Sequence, residues 1–198
     1  ISLYGGWRTS AAIDSEEGIY VITKHVFSSP NHSIKRSFLP KGEKAISIAC
    51  CNSFVIVATL SGRVFGSSLE DLETGRLSRL VFDPVNELEG EEIVDVCGTV
   101  ENCLALSSGG QIFALGSNEW GQIGLGTKRT LTSKFTQILA LKNFDIVAAA
   151  SGCFHSLFVT SQGSVFSCGN NGCGQLLLKN GPTKNFTYLP VKSLIKSG

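Results

Sequence analysis

The stretch SGCFHSLFVTSQGSVFSCGNNGCGQL occupies residues 151–176, and an earlier stretch, GTVENCLALSSGGQIFALGSNEWGQI at residues 98–123, aligns with it without a gap. In both stretches, two apolar runs of strand length flank a short turn of serine and glycine, and a glycine-rich loop follows. The offset is 53 residues, measured from Gly110 to Gly163. A match of this length indicates an internal repeat.

Two weaker copies of the pattern precede these stretches, at residues 10–20 and 56–65. The glycines that mark the four turns are Gly18, Gly62, Gly110 and Gly163, which stand 44, 48 and 53 residues apart. One blade of a β-propeller takes roughly 40–50 residues, and it consists of four strands. The sequence therefore predicts an all-β chain, a β-propeller of four-stranded blades with about four repeats. We expect one propeller region over residues 1–198, with approximate repeats at 1–45, 46–92, 93–145 and 146–198.

Residues 151–176 resemble the repeat of the regulator of chromosome condensation family. The signature of that family joins a Gly-x-x-His-Ser strand start, a Gly-x-Val-aromatic hairpin and a Gly-x-Asn-x-x-Gly-Gln-Leu loop. Residues 98–123 also fit it strongly, whereas the two earlier units fit only in their first halves. The Gly-His and Trp-Asp markers of WD repeats are missing. The kelch pattern, a paired-glycine start followed by spaced Tyr and Trp, is missing as well. Family members have seven blades, so this chain is a partial, small or composite propeller, and we expect the remaining blades in the rest of a longer chain.

The net charge indicates which classes of partner the chain binds, and the cysteines indicate its cellular compartment. The chain has 17 Lys plus Arg and 16 Asp plus Glu, a net charge of +1, so it lacks the basic surface that favours a direct nucleic-acid or membrane partner. No apolar stretch approaches the roughly 20 residues that span a bilayer. The seven cysteines are odd in number and scattered, which predicts reduced thiols and an intracellular protein, cytoplasmic or nuclear.

The resemblance implies a binding surface and not a self-contained enzyme. We expect a protein partner: a Ran-like small GTPase, a chromatin-associated protein or a protein of the ubiquitin pathway. The alternative is a guanine nucleotide exchange factor for a Ran-like GTPase, since the exchange factor of the family uses one propeller face to release nucleotide. No motif for a cofactor is present, and no paired carboxylates or nucleophile with its base survive the repeat interpretation.

The resemblance also points to positions for partner binding, because several family units place a functional residue just before the motif histidine. That position is occupied here by Arg8, Ser53, Glu101 and Phe154. Trp7, which precedes Arg8, and Trp120, in the glycine-rich loop, complete the candidate partner-binding residues. Glu101 is either a contact or a solvated loop carboxylate. Arg8 beside Trp7 is either an interface pair or a stacked surface arginine. Trp120 either packs between blades or stands exposed as an anchor.

Four further features have structural and functional interpretations. His155 occupies the structural histidine position of the family and predicts a hydrogen bond within the blade. Cys168 and Cys173 are half of a zinc pattern without a second half, so we interpret them as structural thiols. The glycines of 121–127 lack the Lys-Ser/Thr ending of a phosphate loop and fit the repeat turn. The acid-rich residues 66–92 are either a solvated insertion or a docking loop for a basic partner.

Overall fold

The computed structural model describes residues 2–6, 9–24, 32–69, 80–126, 131–176 and 184–191, which form sixteen β-strands and two short 3-10 turns. The strands make four four-stranded sheets, and in each sheet they lie in chain order as an antiparallel meander. The predicted all-β fold class is confirmed. In the part of the chain that the structure describes, no helix is long and apolar enough to cross a bilayer.

The first two sheets come from the first half of the chain. The first sheet contains β1–β4, at Ser2–Gly5, Thr9–Ile13, Ile19–Lys24 and His32–Ser37. The second sheet contains β5–β8, at Ala45–Cys50, Phe54–Thr59, Val64–Ser68 and Asp83–Pro84. A 3-10 turn at Asn86–Leu88 follows β8.

The other two sheets repeat this arrangement. The third sheet contains β9–β12, at Ile93–Thr99, Asn102–Ser107, Ile112–Ser117 and Leu131–Gln137. A 3-10 turn at Leu139–Leu141 follows β12. The fourth sheet contains β13–β16, at Ile146–Ser151, His155–Thr160, Val165–Asn170 and Lys184–Val191. In such a meander, the turn between the first two strands and the loop between the last two lie at the same end of the sheet.

The chain divides into two compact units, Ile1–Glu101 and Asn102–Gly198. The first unit contains a core in which side chains of the first two sheets meet. Its buried members are Ala11, Ile19, Val21, Ile48, Cys50, Val55, Val57, Phe65, Leu69, Leu80 and Phe82. The residues of the first sheet that belong to this core alternate with partly or fully exposed ones, as expected for a sheet with one covered face.

In the second unit, the two faces of the fourth sheet differ in burial. Phe158 is fully buried, whereas its neighbours Leu157 and Val159 are half-buried. The counterparts of these two neighbours 53 residues earlier are Leu104 and Leu106, and both are buried. One face of the fourth sheet is therefore less covered than the corresponding face of the third. The repeat boundaries and the existence of further blades stay predictions.

Three of the four marker glycines have the backbone conformation that their turns require. Gly62, Gly110 and Gly163 have φ angles of 81°, 73° and 78°. These values lie in the left-handed region, which costs a residue with a Cβ roughly 1–2 kcal/mol. The glycine in each of these hairpins follows from this backbone geometry.

Gly18, the fourth marker glycine, is a glycine for a different reason. In the hairpin between β2 and β3, Glu17 takes the positive φ of 66°. A Cβ on Gly18 would lie 2.5 Å from Nε of Arg36, so the position has no room for a side chain. Asp14 Oδ1 accepts the N–H of Gly18 at 2.8 Å, and Asp14 Oδ2 accepts Nη2 of Arg36 at 2.6 Å. Close packing, and not a positive φ, selects glycine there.

We predict that Gly110→Ala lowers the free energy of unfolding by about 1–3 kcal/mol, because the new Cβ would strain a positive φ and clash with Oδ1 of Asp145. Gly109→Ala is the matched control in the same turn. A Cβ there would meet only Oγ of Ser107, at 3.9 Å. We expect that change to stay within about 0.5 kcal/mol. Urea unfolding followed by circular dichroism measures both, and equal effects of the two substitutions would contradict the assignment.

Candidate protein-binding surface

The loop that follows β11 is closed by its own side chains. Asn118 Oδ1 accepts the N–H of Ile123 at 3.2 Å, and Gln122 Oε1 accepts the N–H of Trp120 at 3.0 Å. Gly121 takes a φ of 77°, which lets the chain reverse within the loop. The Asn and Gln of the repeat motif therefore replace water as partners of the loop amides.

The same network recurs 53 residues later, in the loop that follows β15. Asn171 Oδ1 accepts the N–H of Leu176 at 2.9 Å, and Gln175 Oε1 accepts the N–H of Cys173 at 2.8 Å. Cys173 stands where the earlier loop has Trp120, and both residues contribute a backbone N–H to the network. The network therefore does not specify the side chain at this position.

The loop after β11 is also hydrogen-bonded to the fourth sheet. Ser156 Oγ on β14 donates to the carbonyl oxygen of Gln122 at 2.6 Å, and Cys168 Sγ on β15 donates to the same oxygen at 3.4 Å. Burial raises the pKa of the Cys168 thiol to about 12, so the thiol keeps its proton at neutral pH and can act as the donor. The motif serine is thus the residue that joins one repeat to the loop of the preceding one.

Phe154 lies in the turn between β13 and β14, and this turn has a fixed backbone. The N–H of Gly152 donates to the carbonyl of His155 at 2.8 Å, and the N–H of Asn170 donates to the carbonyl of Phe154 at 2.7 Å. The Phe154 side chain is 48% exposed. The hydrogen bonds therefore hold the backbone of a residue whose ring stays open to solvent.

Trp120 and Phe154 are in contact. Their ring centroids are 6.2 Å apart and their planes are inclined by 59°, a tilted arrangement within the usual range for aromatic pairs. Trp120 is half-buried. The ring of Trp120 packs against the turn of the next repeat and also borders solvent. Its role as a binding anchor stays a prediction. We call these two residues the aromatic surface.

His155 contributes to this region through packing. Its ring lies against Gly152, where a Cβ would clash with the imidazole. Burial lowers the pKa of His155, so the ring is neutral at pH 7. The predicted side-chain hydrogen bond is not found among the residues that the structure describes. In the chain, the neutral His155 follows Phe154, and the exposed Glu119 precedes Trp120.

The remaining candidates lie apart from the aromatic surface in the chain. Ser53 and Glu101 are exposed, in the turns after the first strands of the second and third sheets. These two turns are adjacent, because the N–H of Asn52 donates to the carbonyl of Val100 at 2.7 Å. Trp7 and Arg8 lie outside the described residues. Of the six candidates, the structure brings Trp120 and Phe154 into ring contact.

The seven cysteines differ in burial. No disulfide joins any of the seven, all of which lie in the described ranges. Cys168 is buried under the loop after β11, whereas Cys173 is exposed. Over the same described ranges, no three His, Cys, Asp or Glu side chains are grouped so that they could hold a metal ion.

Two family models of the regulator of chromosome condensation (RCC1) repeat match residues 109–159 and 146–175. These residues contain the self-closed loop after β11, most of the loop after β15, and Ser156, which joins the fourth sheet to the first of these loops. The chain is a partial member of the RCC1 repeat family. The RCC1 repeats account for the offset of 53 residues, and the family predicted from the motifs is confirmed.

One curated relative and two solved structures place these RCC1 repeats in context. The chain is 35% identical to human HERC6, a probable E3 ubiquitin-protein ligase, over 98% of its own length but only 21% of that protein. Human WBSCR16 matches 97% of the chain with a TM-score of 0.75 and 19% identity, over 52% of its own chain. Prp20p of Saccharomyces cerevisiae, which binds Gsp1p and histones, matches 96% with a TM-score of 0.73 and 16% identity, over 49% of its own chain. At this identity the structures show the fold.

Proposed function

We propose that this chain is a protein-interaction module that presents the aromatic surface of Trp120 and Phe154 to an apolar segment of a partner protein. The observation that carries the proposal is the tilted contact between these two rings, one of them half-exposed, on loops whose backbones are fixed by hydrogen bonds. Aromatic side chains in preorganised positions recur among the residues that dominate interface energies.

The repeat itself supplies an independent argument. The position of Phe154 is occupied by Glu101 in the preceding repeat, and the position of Trp120 is occupied by Cys173 in the following one. Since the same turns form with those residues, folding does not require an aromatic ring at either place. Two aromatic rings that the scaffold does not need, in contact at a solvent-exposed edge, favour a binding role.

The likeness to HERC6 suggests the kind of larger protein in which this module acts. We propose that it recruits partners for a larger protein of the ubiquitin pathway. The chain spans about a fifth of the length of HERC6, so the ligase chemistry of that relative lies outside the present inference. The module would supply recognition, which requires neither a nucleophile nor a metal.

We predict that Phe154→Ala weakens partner binding by about 2 kcal/mol, roughly thirtyfold in Kd, because truncation removes an exposed aromatic anchor. The control is Leu139→Ala, which truncates a more exposed apolar residue, 66% exposed, in the 3-10 turn after β12. The partner is first identified by cross-linking to the wild-type chain and mass spectrometry, and its Kd is then measured by calorimetry. Unchanged affinity of Phe154→Ala, or equal losses from both variants, would refute the proposal.

Nucleotide exchange on a Ran-like GTPase is the second candidate function, supported by the structural likeness to Prp20p, which binds Gsp1p. Among the described positions that precede the motif histidine, only Glu101 is acidic. Opening a GTPase requires complementarity over an interface of about 1,600 Å². We therefore expect no acceleration of labelled GDP release from a Ran-type GTPase at saturating chain, measured by fluorescence. Acceleration would show that the chain acts as an exchange factor and would contradict the proposal of a simple interaction module.

A further inference from the structure

A cavity of about 280 Å³ opens beside the 3-10 turn that follows β8. Its apolar lining comes from Val64, Pro84, Val85 and Leu88, and its carboxylates come from Glu89 and Glu91. The cavity lies near the β6–β7 hairpin, at the end of the second sheet opposite to the turn that contains Ser53. Pockets for drug-sized ligands typically measure about 300–1,000 Å³. This volume therefore suits one long side chain better than a cofactor.

Among the described residues that line the cavity, Arg63 is the basic one, and it does not neutralise the acids. Nη1 of Arg63 is hydrogen-bonded to Oε1 of Glu43 at 3.1 Å, and its guanidinium lies 5.0 Å from the centre of the Phe65 ring. Glu89 and Glu91 make no side-chain hydrogen bond or ion pair with any residue that the structure describes. Their charges are therefore available to a cationic group from outside.

The sequence around the cavity adds to its negative charge. Residues 80–127 contain eight of the sixteen acidic residues of the chain and no Lys, Arg or His. The eight acids are Asp83, Glu87, Glu89, Glu91, Glu92, Asp95, Glu101 and Glu119. At physiological salt, charges influence one another over roughly 8 Å, so the acids nearest the cavity determine its local field. A basic occupant is complementary to it.

The next repeat shows that the turn does not need these acids. Lys142 and Phe144 occupy the positions of Glu89 and Glu91, 53 residues later. The amides of Glu89 and Lys142 make the same backbone hydrogen bond, to Asn86 and Leu139, at 3.1 and 3.3 Å. The backbone at the two positions differs, since ψ is 130° at Glu89 and −24° at Lys142. The shared hydrogen bond nevertheless shows that closing this turn does not require a carboxylate.

We propose that the cavity binds a lysine side chain from a basic segment of a partner protein. The methylene groups of the lysine contact Val64, Val85 and Leu88, while its ammonium group is held between the carboxylates of Glu89 and Glu91. Lysine suits such a site because its long stem is apolar and its end is charged. The inference goes beyond the aromatic surface, since it uses other residues in the other unit. If one of the two proposals fails its test, the other is not affected.

The test measures binding of a fluorescein-labelled peptide of alternating lysine and alanine to the 198-residue chain by fluorescence anisotropy. Glu89→Lys introduces the residue type that the next repeat carries at this position. It is expected to raise Kd about tenfold or more, because attraction becomes repulsion. The matched control is Glu87→Lys, which makes the same change of net charge in the same turn outside the cavity lining. We expect a change below about threefold there, with thermal unfolding confirming that both variants fold.

A second arm uses only the unaltered chain, so it does not depend on variant folding. A peptide with 2,4-diaminobutyrate in place of lysine has the same charge but lacks two methylene groups per side chain. At about pH 6, where both ammonium groups are protonated, the cavity predicts weaker binding of the shorter side chain. Equal affinity of the two peptides, equal effects of Glu87→Lys and Glu89→Lys, or no binding at about 1 mM chain would overturn the proposal.

Discussion

The peptide group between Gln122 and Ile123 is hydrogen-bonded on both sides, and the second unit depends on it. Its N–H donates to Oδ1 of Asn118 at 3.2 Å, within the same loop. Its carbonyl accepts the hydroxyl of Ser156 at 2.6 Å and the thiol of Cys168 at 3.4 Å, from two strands of the fourth sheet. Because bonds on both sides of one peptide group polarise each other, closing the loop and joining it to the next repeat are one event.

This arrangement separates the scaffold from the residues available for recognition. The asparagine, the glutamine and the positive-φ glycines recur wherever the loop forms, since each satisfies a backbone requirement. Other equivalent positions, 53 residues apart, carry different residues in neighbouring repeats. These are Trp120 and Cys173, Glu101 and Phe154, and Glu89 and Lys142. A repeat built in this way can change its surface chemistry while it keeps the hydrogen bonds that close its turns, so the residues that differ between repeats are the places to look for function.

The fold was predictable from sequence because the repeat is long and its turns have strict requirements, as the φ angles of Gly62, Gly110 and Gly163 show. Gly18 departs from that rule, because the nearby Arg36 leaves no room for a side chain there. A contact between residues so far apart in the chain leaves no local signal in the sequence. The contact of Trp120 with Phe154 was also missed, since spacing along the chain does not tell which loop meets which turn. The cavity at Glu89 depends on three-dimensional packing. The acid-rich residues 66–92 had left two interpretations open in the sequence, a solvated insertion or a docking loop for a basic partner.

A double-mutant cycle between Asn118→Ala and Ser156→Ala tests the central claim most directly, because the two side chains bind opposite sides of one peptide group and are expected to make no contact with each other. The free energy of unfolding is measured in urea for the wild-type chain, both single variants and the double variant. We predict a coupling energy of about 1 kcal/mol, since loss of either bond loosens the peptide group on which the other depends. Additive effects, within about 0.3 kcal/mol, would contradict the claim that loop closure and repeat joining are one event.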